Sequence, residues 1–110
     1  MLTLYDIKNY LNITWEDEAT DGKLKGIAAR AQSAVCGLIG VPGKKFVDFS
    51  ENAESDSEGT EAEQLFLDAC RYIQNDSFED FRKNFADTIT SLRALNSVLN
   101  TKSEVDDAGG

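Results

Sequence analysis

Apolar positions recur at steps of three and four in four separate blocks of the chain, the spacing that gathers side chains on one face of a helix. Leu4, Ile7 and Leu11 mark the first block, preceded by Thr3 as an N-cap with Asp6 in the first turn. This predicts a short helix over about 4 to 12, broken at Asn12-Ile-Thr-Trp15. The acidic cluster Glu16, Asp17, Glu18 and Asp21 sits where negative charge suits the start of a second helix. Leu24, Ile27, Ala28, Ala31, Ala34, Val35, Leu38 and Ile39 then give a stripe over 21 to 39, rich enough in alanine for a neighbouring backbone to approach closely. Gly40 is the expected glycine past the helix end, and Pro42 blocks continuation.

The pattern changes between residues 40 and 59. Phe46, Val47 and Phe49 form too short a run for a helix and predict a short strand or an extended loop. From Asp48 to Glu63 there are seven acidic residues (Asp48, Glu51, Glu54, Asp56, Glu58, Glu61 and Glu63) and no basic one. Such a segment cannot bury itself, so it reads as a flexible acidic loop. Thr60 and Glu63 make a capping box for a third helix, with Leu65, Phe66, Ala69, Cys70, Tyr72 and Ile73 on its face up to about Gln74. After the polar break at Asn75-Asp76, with Asp76 or Ser77 as cap, the stripe Phe78, Phe81, Phe85, Ile89, Leu92, Leu95 and Leu99 predicts one long helix over 78 to about 99. At 1.5 Å per residue it would be about 33 Å long.

These blocks define an all-α fold: a small bundle of about four helices in one domain over 1–100, followed by a flexible polar tail over 101–110. A chain of 110 residues can bury roughly two-thirds of its unfolded surface, enough for a modest core. Twenty acidic against eleven basic side chains leave a net charge of −9, which opposes binding by phosphate neutralisation. Cys36 and Cys70 fall inside predicted helices without a Cys-x-x-Cys pair and read as reduced core thiols. No run of about 18 apolar residues suits a membrane span, and residues 1 to 10 do not read as a signal peptide. The expectation is a protein made and used in a cytosol, without a membrane partner.

Candidate chemistry is sparse. Without histidine the chain lacks the commonest general base near neutral pH and the commonest metal ligand. Asp17-Glu-Ala-Thr-Asp-Gly22 resembles the start of a calcium loop, but Ala19 and Ala28 occupy the third and twelfth positions, where oxygen ligands are needed. Gly40-Val-Pro-Gly-Lys-Lys45 lacks the spacing and terminal hydroxyl of a phosphate-cradling loop. No catalytic, cofactor or metal site is therefore expected. The aromatic residues Trp15, Tyr72, Phe78, Phe81 and Phe85 read as core or as an interface.

Two blocks carry a resemblance to a family. Leu4-Tyr-Asp-Ile-Lys-Asn-Tyr-Leu-Asn-Ile13, the acidic residues around Asp21 and an alanine-rich helix ending at Gly40 form the first. Cys70-Arg-Tyr72 followed by Phe78-x-x-Phe81-x-x-x-Phe85 forms the second. Together they resemble the head-to-tail connector proteins of long-tailed bacteriophages. The resemblance implies a non-enzymatic structural virion protein, synthesised in the bacterial host cytoplasm, that forms a ring, commonly dodecameric, beneath the portal protein. Its partners would be the portal and the next connector, stopper or tail protein, with DNA passing through without sequence-specific binding. On that reading Asp48, Glu51, Glu54, Asp56 and Glu58 form a channel-facing loop that repels phosphate. A second class stays open: an acidic helical DNA mimic that inhibits a nucleic-acid-binding enzyme, disfavoured because many carboxylates cluster in a Ser- and Gly-containing loop.

Overall fold

The computed structural model describes residues 1–14, 17–50, 53–56 and 59–109, with side chains as far as residue 98. The fold is mostly helical. In chain order it comprises β1 (Leu2–Thr3), α1 (Leu4–Leu11), α2 (Glu18–Ile39), β2 (Val47–Asp48), α3 (Glu61–Gln74), α4 (Phe78–Asn84) and α5 (Ala86–Gly109). β1 and β2 pair in parallel, Leu2 opposite Val47 and Thr3 opposite Asp48. The short strand expected near Phe46 is present, and its partner is the N-terminal dipeptide, which carries no strand periodicity of its own.

Helix starts follow the capping chemistry. Asp6 N donates to Thr3 Oγ1 at 3.3 Å and Thr3 N donates to Asp6 Oδ2 at 2.8 Å, the reciprocal box that fixes α1. Asp17 caps α2, accepting from Thr20 N at 2.7 Å, so that helix begins at Glu18, three residues before the acidic cluster's expected boundary. Lys8 of α1 pairs with Asp21 of α2 at 2.6 Å and holds the two helices together across the Asn12 turn. Gly40 ends α2 in the left-handed region at φ 75°, as expected of a glycine past a helix end. At α3, Glu63 N donates to Thr60 Oγ1 at 3.2 Å, while the Glu63 carboxylate accepts from Gly59 N at 2.9 Å.

α2 and α3 form the central pair. Ala28 and Ala31 are fully enclosed, as are Ala69 and Cys70 of α3, so the alanine-rich stripe does bring two backbones close. Phe46 closes one end of this seam, its ring stacked on that of Phe66 with centroids 5.3 Å apart. Gln32 holds the strand segment in place by accepting from Phe46 N at 2.8 Å, and Leu2 N donates to the Phe46 carbonyl at 2.9 Å.

Among the described residues five helices stand where the apolar blocks predict four. The expected single helix over 78 to 99 is divided at Phe85, whose backbone sits at φ −111° and ψ 17°. The hydrogen-bond ladder persists across this residue, with Phe85 N donating to Phe81 O at 3.0 Å and Ile89 N to Phe85 O at 2.9 Å. The interruption is thus a kink, and it has a packing reason. A single stripe on a straight helix faces one direction, whereas here α4 packs on α3 and α5 on α2. Asn96 of α5 secures the second contact by donating to the Ile39 carbonyl at 2.8 Å, satisfying an end-of-helix acceptor of α2. α5 runs on to Gly109, past the expected end near 99 and through the segment expected as a tail. Neither candidate cap of α4 works as expected: Asp76 adopts φ 55°, and Ser77 occupies the N-cap without a side-chain bond to the helix.

Candidate functional site

The acidic edge is built on the strand pair. Asp48 is exposed on β2 and accepts from Ser50 N at 2.9 Å and Ser50 Oγ at 2.5 Å, bonds that hold its carboxyl below the usual range. Glu54 and Asp56 are exposed beyond it, while Glu51 and Glu58 lie outside the described residues. The described part of this segment is anchored. Asp56 N donates to Met1 O at 3.1 Å, the Met1 amino group donates to Asp56 O at 2.6 Å, and Ser55 Oγ donates to Asp6 Oδ1 at 2.9 Å. Ser55 and Asp56 are therefore tied to Met1 and to Asp6 at the start of α1, within the segment expected as a flexible acidic loop. Main-chain groups, which sequence polarity does not report, supply the attachment of Asp56. Asp48, Glu54 and Asp56 thus project from a fixed edge and make no ion pair among the described residues.

The expected aromatic residues converge, apart from Trp15, which lies outside the described residues. Phe81 is fully buried, with Phe78 at 5.2 Å, Phe85 at 5.1 Å and Tyr72 at 5.8 Å between ring centroids. Tyr72 meets Phe85 edge-on at 5.9 Å. Such offset and edge arrangements are the favoured geometries of packed rings, so this cluster is a corner of the core. Its stripe becomes exposed farther along at Leu95, and Val98 beside the stripe also stands in solvent.

A polar cluster between α1 and α3 was not singled out from the sequence: Gln64, Asp68 and Arg71 stand at helical spacing on α3, but nothing in the sequence pairs them with Tyr10. The Tyr10 hydroxyl donates to Asp68, Gln64 Nε2 donates to the Tyr10 oxygen at 3.2 Å, and Arg71 Nη2 donates to the Tyr10 carbonyl at 3.1 Å. The Arg71 guanidinium also lies over the Tyr10 ring, 4.5 Å from its centroid. Partial burial and the Asp68 carboxylate push the Tyr10 hydroxyl up to about 12. Beside this cluster a cavity of about 170 Å³ opens between α3 and the start of α5, with Leu65 and Phe85 as apolar floor and Glu61, Asp68 and Thr88 around it. Two further depressions share Ala29, Gln32 and Lys45: one of about 470 Å³ is completed by Met1, Val47, Asp48 and Phe49, the other of about 500 Å³ runs along α2 past Ser33 and Gly37 to the turn carrying Lys44.

Nothing among the described residues assembles a reactive constellation. Cys70 is enclosed in the core, and burial pushes its thiol up to about 12, so it carries almost no thiolate at neutral pH. Burial likewise raises the Cys36 thiol, which donates to the Lys44 carbonyl at 3.2 Å. No group of three or more Cys, Asp or Glu side chains among the described residues is placed to hold a metal ion. No described helix is long and apolar enough to cross a membrane. Comparisons with family models, curated proteins and solved structures gave no match.

Proposed function

We propose that the chain is a head-to-tail connector subunit, a structural protein that forms a ring, commonly dodecameric, under the portal and continues the DNA channel toward the tail. The observation that supports this reading is the acidic edge: Asp48, Glu54 and Asp56 are exposed, make no ion pair among the described residues, and Asp56 is tied by its backbone to Met1. A channel lining must hold negative charge in a defined place without adhering to passing phosphates, and an anchored carboxylate row repeated around a ring does this. The helical body supplies the rigidity that a ring subunit needs. The portal on one side and a stopper or tail protein on the other would be the partners, and neither calls for a catalytic group.

The test is cryo-electron microscopy of the chain assembled with the portal protein of the same virus. Density for a ring on the portal, with residues 48–56 on its inner wall, is expected. A chain that leaves the portal bare, or a ring with this edge on its outer circumference, would sink the assignment. The anchoring also favours a second reading, a DNA mimic, because carboxylates on a fixed edge imitate phosphates better than those on a free loop. That reading predicts tight, salt-sensitive binding to a nucleic-acid-binding enzyme and no affinity for the portal.

A further inference from the structure

Charge is segregated along this chain more sharply than its total suggests. From Gly22 to Val47 there are five cations (Lys23, Lys25, Arg30, Lys44 and Lys45) and no carboxylate. From Asp48 to Asp68 there are eight carboxylates and no cation. In the fold Lys45 shares one depression with Asp48, whereas Glu61 and Asp68 lie around a separate cavity beside α3. The depression along α2 has a floor of small residues, Ala29, Ser33 and Gly37, and a rim formed by the Lys44–Lys45 turn. A side chain built at Gly37 would meet nothing within 4 Å, so the molecule itself leaves this face uncovered. The cavity beside α3 has the opposite character, with Glu61 and Asp68 above Leu65 and Phe85. The two concavities share no residue, and Lys44 and Lys45 make no ion pair among the described residues.

We infer that this chain associates with a second copy of itself head to tail, the Lys44–Lys45 turn of one copy entering the Glu61–Asp68 cavity of the next. A lysine suits that cavity in both of its parts: the methylene stem covers Leu65 and Phe85 while the ammonium reaches the carboxylates. Because the two surfaces are different and separate, each copy can use both at once, the heterologous arrangement that propagates into a closed ring or a filament. The net charge of −9 selects the occupant. A nucleic acid approaching the lysine turn meets long-range repulsion, whereas a second copy can offer a compact acidic face to a compact basic one. The inference rests on the connector reading for its biological setting, but the contact itself needs no portal.

Sedimentation velocity of the free full chain tests it. At about 0.05 M salt the average mass should rise with protein concentration, and at about 0.5 M salt it should fall back, since screening then acts within a few ångströms. K44Q/K45Q and E61Q/D68N, which retain polar side chains at each surface, should each weaken self-association about tenfold or more while melting close to the native temperature. Mixed together they should form pairs and stop there, because one intact basic turn meets one intact acidic cavity. A native chain that remains monomeric at low salt overturns the inference, as do variants that associate like the native chain. Retardation of duplex DNA by the native chain, lost in K44Q/K45Q, also overturns it by marking a phosphate site. If the contact forms but particles assemble without the chain, the connector reading fails and the contact stands; if particles need the chain but not the lysines, the reverse holds.

Discussion

The seam between α2 and α3 and the outer length of α5 are written in the same helical code and end in opposite environments. Ala28, Ala31, Val35, Leu65, Phe66 and Ala69 are enclosed, whereas Leu95 and Val98 are 55% and 64% exposed. Both stretches place apolar residues at steps of three and four. The difference lies in what faces them: small residues on α2 admit α3 at short range, and the aromatic corner holds α4 on α3, while among the described residues of α5 beyond Leu92 it is the polar Asn96 that bonds back to the end of α2. Periodicity therefore specifies that a stripe exists, and the complementary shape of a second element decides whether it is covered.

The comparison breaks most readily at Phe81, the ring on which Tyr72, Phe78 and Phe85 converge. Phe81→Ala should cost about 3–5 kcal/mol in denaturant titration, since it removes a fully buried ring whose three aromatic neighbours cannot all collapse into the space. Phe85 is half-buried, so its truncation should cost less, about 2 kcal/mol. Equal losses at the two sites would mean that the corner is not organised around Phe81. Overpacking probes the seam directly: Ala31→Leu should destabilise by about 1–3 kcal/mol, because α3 occupies the room the new side chain needs. A neutral result would show that the helices can separate.

Capping effects come next, and they concern what was legible in the sequence. Thr3→Ala and Thr60→Ala should each cost about 1 kcal/mol, as each removes an acceptor from a first-turn amide. Those two caps, the Gly40 stop and the alanine stripe were readable because they are local or periodic. The kink at Phe85 was not, since the stripe continues through it and only the need to serve two different neighbours bends the helix. Pairing of Leu2 with Val47 was hidden for another reason: two residues are too few to show alternation, and the partner lies 45 positions away. The tie of Asp56 to Met1 rests on main-chain bonds, which the acidic composition of the segment does not report. Asp68 and Arg71 share one face of α3, but Tyr10 lies on α1, 58 positions from Asp68, and only the packing of α1 on α3 brings it to them.

Alkaline titration sharpens the contrast between enclosed and open regions. Cys70, raised from 9.0 to about 12, and Tyr10, raised from 10.0 to about 12, are both neutral when protonated. In each case the folded state holds its proton more tightly than the unfolded chain, so the contribution to stability is complete below the unfolded value and is lost as pH rises toward 12. Stability should therefore decline from about pH 9, first through Cys70 and then through Tyr10. Cys70→Ala should flatten the first part of this decline and Tyr10→Phe the second. Unchanged slopes in both variants, measured by denaturant titration across the range, would show that neither group is held as the packing indicates.

The smallest effect is expected at the open end of the comparison, and it is the most discriminating. Leu95→Ser and Val98→Ser remove apolar side chains that already stand in solvent, so each should change the stability of the free chain by less than about 0.5 kcal/mol. The same substitutions on the covered stripe, at Val35 or Leu65, would cost several times more, because they lose buried apolar area and enclose a hydroxyl. If Leu95→Ser proves as damaging as a core substitution at high protein concentration but not at low, the outer stripe is covered by another molecule, and its helical periodicity reports an intermolecular surface. If it is damaging at both, α5 packs inward farther than Leu92. Concentration-dependent unfolding of this one variant thus distinguishes a stripe that is merely exposed from one that has a partner.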